Sequence, residues 1–269
     1  MTATAIRQAG AWDVAKPQMR NVVRSKWLVC YAAFFLLATE GLLRFSGGDA
    51  KTLLSLANVV LFVVPLVTIV YGTIYLYNSR EFVELLLAHP LKRRTVFSGL
   101  YLGLAVPIIS AFVAGVSLPF LMRGVLMDAR GPFATLLAGG GALTLIFTAL
   151  AFCIALRFED RLTGLGAAMG IWLLLALIYD GVILFVVSIM SDHSIEKSLL
   201  AVSVANPIDL VRIALLLQFD ISALMGYTGA VFTRFFSGAT GLAVIAAALT
   251  IWIGAPVFLG LHSFKRKDF

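Results

Sequence analysis

Six long apolar runs alternate with shorter polar segments along this chain of 269 residues. A transmembrane helix takes roughly 20 mostly apolar residues, with a rise of about 1.5 Å per residue. The pattern therefore predicts an all-α polytopic membrane protein whose single transmembrane domain covers 1–269. The predicted spans are 27–43, 53–77, 96–122, 133–156, 165–190 and 239–261.

The segment before the first span, 11–26, predicts a helix that lies in the membrane interface. Its apolar and charged side chains separate onto two faces at helical spacing. Pro17 lies within the segment, at a position where a proline can divide a helix. The apolar face holds Trp12, Ala15, Met19, Val22 and Val23, and the charged face holds Asp13, Lys16, Arg20 and Arg24.

Segment 78–98, between the second and third predicted spans, is too polar at both ends to remain in lipid. We predict a short amphipathic helix over about 79–90, which Pro90 ends because the residue before a proline is pushed out of the α region. A basic run follows it. Two interpretations are open: a polar loop with interfacial anchors, or a docking element for a soluble partner. The polar arc of the helix holds Arg80, Glu81 and Glu84.

The connection 191–238, between the fifth and sixth predicted spans, is expected to be helical. Asn206 suits the cap of a helix and Pro207 suits its first position. The apolar helix that they start has about 13 residues, too few to cross a bilayer, so it should lie in the outer interface or pack on a neighbour. It either seals the bundle or forms a platform for a protein outside the membrane. The candidate platform residues are Pro207, Asp209, Leu210, Val211, Arg212 and Leu215.

Composition and charge support the membrane class and orient the chain. Hydrophobic residues make up 61% of the sequence and charged residues 13%, whereas soluble domains carry about 25% charged residues. Lysine and arginine are concentrated in the N-terminal segment, in 78–98, at 157–161 and at the C-terminus. The positive-inside rule then predicts that both termini and 78–98 are cytoplasmic. The net charge of +7 follows from this bias and does not indicate a nucleic-acid partner.

Ionisable residues within the predicted spans are few. Glu40 and Asp180 are functional candidates because charges in a membrane are costly. Structural roles are the simpler interpretation, and Glu40 has Arg44 four residues away. The sequence has no metal-binding motif and no phosphate-binding G-x-x-x-x-G-K-[ST] motif. We therefore expect no bound metal or cofactor and no enzymatic activity in this chain. The absence of matched interrupted spans disfavours a secondary transporter.

The element R-E-x-x-E-L-L-L-x-x-P-L-x-R-R after the second span resembles the coupling helix of type-2 ABC transporter permeases. The matching residues are Arg80, Glu81, Glu84, Leu85, Leu86, Leu87, Pro90, Leu91, Arg93 and Arg94. The resemblance implies that this helix docks in a groove of a separate cytoplasmic ATPase, which binds ATP and Mg. The implied coupling residues are Arg80, Glu81, Glu84, Leu87, Pro90, Arg93 and Arg94.

The segment N-P-I-D-L-V-R at 206–212 is similar to permeases of the nitrous-oxide-reductase maturation system. That resemblance implies a homodimer in the bacterial inner membrane, surrounded by lipid, with two ATPase copies and a periplasmic β-helical accessory protein. The expected role is transport or conformational signalling for copper-site maturation. An exporter of a lipid, drug or other small molecule in the same superfamily is the alternative.

Overall fold

The structure, a computed structural model, describes residues 10–45, 49–88, 91–124, 130–182, 203–218 and 238–267. These residues form helices, and among them there is no β-strand. In chain order the helices are α1 (Ala11–Val23), α2 (Lys26–Phe45), α3 (Asp49–Asn78), α4 (Arg80–Leu87), α5 (Arg93–Arg123), α6 (Arg130–Arg157), α7 (Arg161–Leu173), α8 (Pro207–Gln218) and α9 (Gly238–Arg266). A π-helical turn, Leu174–Ile178, extends α7.

Six helices are long and apolar enough to cross a membrane, namely α2, α3, α5, α6, α7 with its extension, and α9. The predicted all-α polytopic fold is confirmed. Five of the predicted spans lie wholly within these helices, and the helix of the fifth span, α7 with its extension, is described as far as Val182. The helices extend past the predicted bounds because basic residues such as Arg93, Arg123 and Arg157 stand in their terminal turns. Long basic side chains reach the interface from such positions.

Helices α3, α5 and α6 form the centre of the bundle and bury the largest share of their side chains. Aromatic rings fill the space between them, with Phe152 edge-on to Phe97 at 5.8 Å and to Tyr101 at 6.1 Å between ring centroids. Between membrane helices such packing, rather than the hydrophobic effect, drives association. Helices α2, α7 and α9 expose apolar side chains on the outside of the bundle.

Helix α1 packs along α5 and is one continuous helix despite Pro17. The close approach requires Gly99 of α5, where any side chain would overlap Val14 of α1. Of the predicted apolar face, Ala15 and Val22 are buried and Trp12 is exposed. Gln18 is also buried and accepts a hydrogen bond from the Tyr75 hydroxyl at 2.9 Å. Contact with the bundle, rather than the hydropathy of the helix alone, selects which face is buried.

Helix α8 packs inside the bundle against α6, α9 and α3. Asn206 caps it as predicted, because its Oδ1 accepts from the backbone N–H of Ile208 at 3.0 Å. Its Nδ2 donates to the carbonyl of Leu175 at 2.8 Å, within the π turn. Of the two predicted placements, the helix therefore packs on its neighbours. Of the connection 191–238, the structure describes 203–218 and Gly238.

Candidate functional site

Helix α4, the connection 158–160 and the last residues of α9 meet at one end of the bundle, which we call the basic end. Helix α4 covers eight residues, Arg80–Leu87, within the predicted 79–90. The Ser79 hydroxyl preceding it donates back to the Tyr75 carbonyl at 2.8 Å, which ties the turn to α3. Pro90, predicted to end the helix, lies outside the described residues.

One face of α4 points into the bundle and the other points away from it. Val83 is completely buried and holds the helix against the bundle. Glu81 and Glu84 are exposed, and Leu85 is 69% exposed. The outward face thus combines two carboxylates with an apolar side chain. Such a surface can bind a complementary groove through charge and apolar contact.

Two of the three arginines predicted to contact an ATPase bind backbone carbonyls of this chain. Arg80 Nη2 donates to the Phe158 carbonyl at 3.3 Å. Arg93 Nη1 donates to the carbonyls of Phe264, Lys265 and Lys267 at 3.2, 3.0 and 2.6 Å. Both are therefore caps at helix C-termini, where unpaired carbonyls and the helix dipole favour cations.

The remaining predicted coupling residues divide by exposure. Arg94 is exposed and Leu87 is half-buried. Together with Glu81 and Glu84 of α4, Arg94 makes the outward side of this region mixed in charge. Sequence spacing placed all these residues near one another, but it did not show which of them bind carbonyls at helix C-termini.

Three residues at the basic end were missed by the sequence analysis: Tyr77, Asp160 and Lys267. Asp160 caps α7 by accepting from the Thr163 backbone N–H at 2.8 Å and from its hydroxyl at 2.6 Å. These hydrogen bonds hold the pKa of the exposed Asp160 carboxyl below its usual range. The D-x-x-T pattern before an apolar run could have predicted this cap.

Lys267 lies against the end of α6, where its Nζ donates to the Leu156 carbonyl at 2.9 Å. Partial burial lowers the pKa of this ammonium, and the nearby charge of Arg80 lowers it further, whereas Glu159 raises it. Lys267 of the C-terminal basic run therefore caps the C-terminal end of α6. A contact between residues so distant in sequence has no local sequence signal.

A cavity of about 290 Å³ lies between α1, α3 and the start of α4. Its polar lining groups are amides and hydroxyls, and none is a carboxylate or an amine. Helix α4 is thus incompletely packed on this side. The lining residues are Gln18, Asn21, Tyr71, Ile74, Tyr75, Asn78, Ser79 and Phe82.

At the opposite end, the predicted platform residues are mostly inside the bundle. Leu210, Val211 and Leu215 are buried, with exposed fractions of 0%, 1% and 2%. Pro207 and Asp209 are also buried. The helices of the same chain cover these side chains.

The two ionisable span residues form ion pairs. Asp180 binds Arg212 of α8, with Nη1 at 3.0 Å from both carboxylate oxygens, and the same nitrogen donates to Asp209 at 2.8 Å. Arg212 thereby links α8 to the helix that carries Asp180, and its side chain is 33% exposed.

Glu40 joins two spans in the same manner. It accepts from Arg44 of its own helix at 2.8 Å and from Arg123 of α5 at 2.5 Å. Both acids therefore have structural partners, as the simpler interpretation of the sequence suggested. Within the described ranges, no group of histidine, cysteine and acidic side chains is arranged to hold a metal ion.

Comparison with known proteins identifies the family. Residues 59–269 match the model of the family described as ABC-2 family transporter protein. Over 95% of its length the chain is 25% identical to the probable ABC transporter permease protein NosY of Pseudomonas aeruginosa, covering 98% of that protein. The same protein of Stutzerimonas stutzeri is 25% identical over the same shares of both chains. This multi-pass membrane protein therefore belongs to the ABC-2 family of ABC transporter permeases.

Proposed function

We propose that this permease couples a separate cytoplasmic ATPase, through α4, to a change at the opposite side of the membrane. The observation that carries the proposal is the outward face of α4, where Glu81, Glu84 and Leu85 are exposed although the helix is anchored by buried Val83. A lipid-facing helix would not place two carboxylates outward without compensation. An aqueous protein groove with basic and apolar walls would accommodate them.

The proposed assembly is a homodimer of the permease with two ATPase subunits, with both termini cytoplasmic. ATP and Mg bind to the ATPase, and closure of its two copies displaces α4. The positive-inside distribution of lysine and arginine supports this orientation. Rigid-body movement of helices is an established means of carrying such a displacement across a protein.

We further propose that the assembly serves copper-site maturation of nitrous oxide reductase by conformational signalling to a periplasmic accessory protein. The similarity to two NosY permeases over nearly the full length supports this role. The few ionisable and sulfur groups within the spans also favour signalling over a built-in copper path.

An exporter of a lipid or other small molecule is the second candidate, and one structural observation favours it. Leu210, Val211 and Leu215 are buried in the bundle, so α8 offers no apolar platform to an outer protein. A docking surface for such a partner would have to come from elsewhere on the outer side of the assembly.

Affinity purification of the tagged permease from its native membrane in mild detergent tests the proposal. Recovery of an ABC ATPase together with a periplasmic protein is the expected result. Recovery of the ATPase alone would support coupling through α4 and favour the exporter. Recovery of neither protein would contradict the proposed coupling.

A further inference from the structure

Two side chains bind the connection between α6 and α7: Tyr77 from the last turn of α3 and Arg80 from the start of α4. Arg80 donates to the Phe158 carbonyl, and its guanidinium carbon lies 4.6 Å from the centroid of the Tyr77 ring. The Tyr77 hydroxyl donates to the same carbonyl at 2.9 Å and lies 3.2 Å from the Asp160 carbonyl. Two donors and a cation–π contact thus converge at the end of α6.

This junction is closely packed on the side of α7. Gly164 lies in the first turn of α7, and any side chain there would overlap the Tyr77 hydroxyl. The backbone N–H of Gly164 donates to the Asp160 carbonyl at 3.0 Å, and the Asp160 side chain caps the same turn. The connection 158–160 therefore has little freedom to move independently of α7.

The other side of α4 is loosely packed. The cavity of about 290 Å³ borders Ser79 and Phe82, and Val83 is the fully buried side chain of the helix. A force on α4 therefore meets space on one side and the Arg80–Tyr77 junction on the other. Movement of α4 should be transmitted to neighbouring helices through its firm contacts, because packed groups transmit strain and voids absorb it.

We propose that Arg80 and Tyr77 are positioning residues that fasten the connection 158–160 to the junction of α3 and α4, so that α4 and the first turn of α7 move as one unit. The inference rests on the proposed function, in which an ATPase displaces α4. Helix α7 continues into the π turn, where the Leu175 carbonyl accepts from Asn206 at the start of α8. Movement of α7 would thus reach the helix that carries Arg212.

Hydrogen exchange of the permease alone, in lipid nanodiscs, tests the junction. Arg80→Ala and Tyr77→Phe should each raise exchange of the amides at 158–164 by about five- to tenfold, the effect of losing one ordinary hydrogen bond. Arg161→Ala removes an exposed cation from the same turn and should leave exchange unchanged. Arg80→Lys, which keeps a cation within reach of the carbonyl, should restore part of the protection.

Exchange in the complex with the captured ATPase tests transmission. Tyr77→Phe leaves the outward face of α4 intact, so the ATPase should be captured as by the wild type. The ATP-dependent change in exchange along α7, however, should fall several-fold. A purely structural role of the hydroxyl would alter the basal exchange and leave this ATP-dependent change intact.

The outcomes separate this inference from the proposed function. An unaltered ATP-dependent change in α7 in Tyr77→Phe, or equal basal exchange in wild type and both variants, would overturn the junction's role. Loss of ATPase capture by Tyr77→Phe would also overturn it, by placing the effect in docking. Failure of the wild type to capture any ATPase would contradict the proposed function, and basal exchange in the permease alone would still decide the junction.

Discussion

At the scale of single residues, the basic end shows how similar side chains acquire different roles. Glu84 is exposed on α4, whereas Arg80 and Arg93, only a few residues away, cap helices of their own chain. The difference follows from which helix ends each side chain can reach rather than from its position in the motif. Mutations within one short motif should therefore have distinct consequences.

Glu84→Lys reverses the charge at the centre of the outward face of α4. We expect ATPase capture to fall by about tenfold or more, because like charges across an interface oppose binding. Quantitative pull-down of the complex would measure this effect. Glu159→Lys makes the same reversal at another exposed acid of the basic end and should have little effect. Equal loss in both variants would show a general charge effect and contradict specific docking by α4.

Asp160 should make stability depend on pH. Its pKa is lowered in the folded state by the hydrogen bonds from Thr163, so its contribution is fully present above the usual carboxyl pKa. That contribution is lost as the pH falls through the lowered pKa. Thermal unfolding of the wild type should therefore approach that of Asp160→Ala at acid pH and exceed it at neutral pH. A constant difference between them at all pH values would contradict this role.

At the scale of elements, α1 depends on a glycine of another helix. Gly99→Val should destabilise the packing of α1 on α5 by about 1–3 kcal/mol, because the added side chain would overlap Val14. Thermal unfolding together with proteolysis of the N-terminal segment would detect the change. Gly254→Val is the matched control, since the space around Gly254 is open. Similar losses in both variants would indicate a general cost of valine in a helix.

Helix α8 shows a second relation between elements. Its sequence predicted a capped apolar helix too short to span the bilayer, and the structure has that helix with most of its apolar side chains buried. Leu210, Val211 and Leu215 looked suitable for a partner because apolar residues in a connection can face outward. Burial by α6 and α9 could not be inferred from periodicity, since an apolar face is equally suited to lipid, a partner or a neighbouring helix.

At the scale of the whole molecule, the distribution of basic residues predicts orientation. In a background with Cys30→Ala and Cys153→Ala, a cysteine at Leu85 should react with an impermeant thiol reagent only when the cytoplasmic side is accessible. A cysteine at Met122, which is 86% exposed at the opposite end, should react from the periplasmic side of intact cells. The reverse pattern would contradict the positive-inside assignment of both termini.

The fold class, the six spans and the existence of α4 and α8 follow from the amino-acid sequence without knowledge of the packing. These properties depend on local hydropathy, on chain length relative to the bilayer and on proline and asparagine at helix ends. Local patterns are not always sufficient for helix ends, because the helix that contains Pro17 continues through the proline.

The partners of individual side chains, in contrast, depend on how the helices pack. Arg80 binds the carbonyl of Phe158, and Arg93 binds carbonyls at the end of α9. Gln18 and Val211 are buried, whereas Trp12 is exposed. Each of these contacts joins positions far apart in the sequence. Helix packing brings unpaired carbonyls and small residues together from different spans, and a local pattern contains no information on which of them will meet.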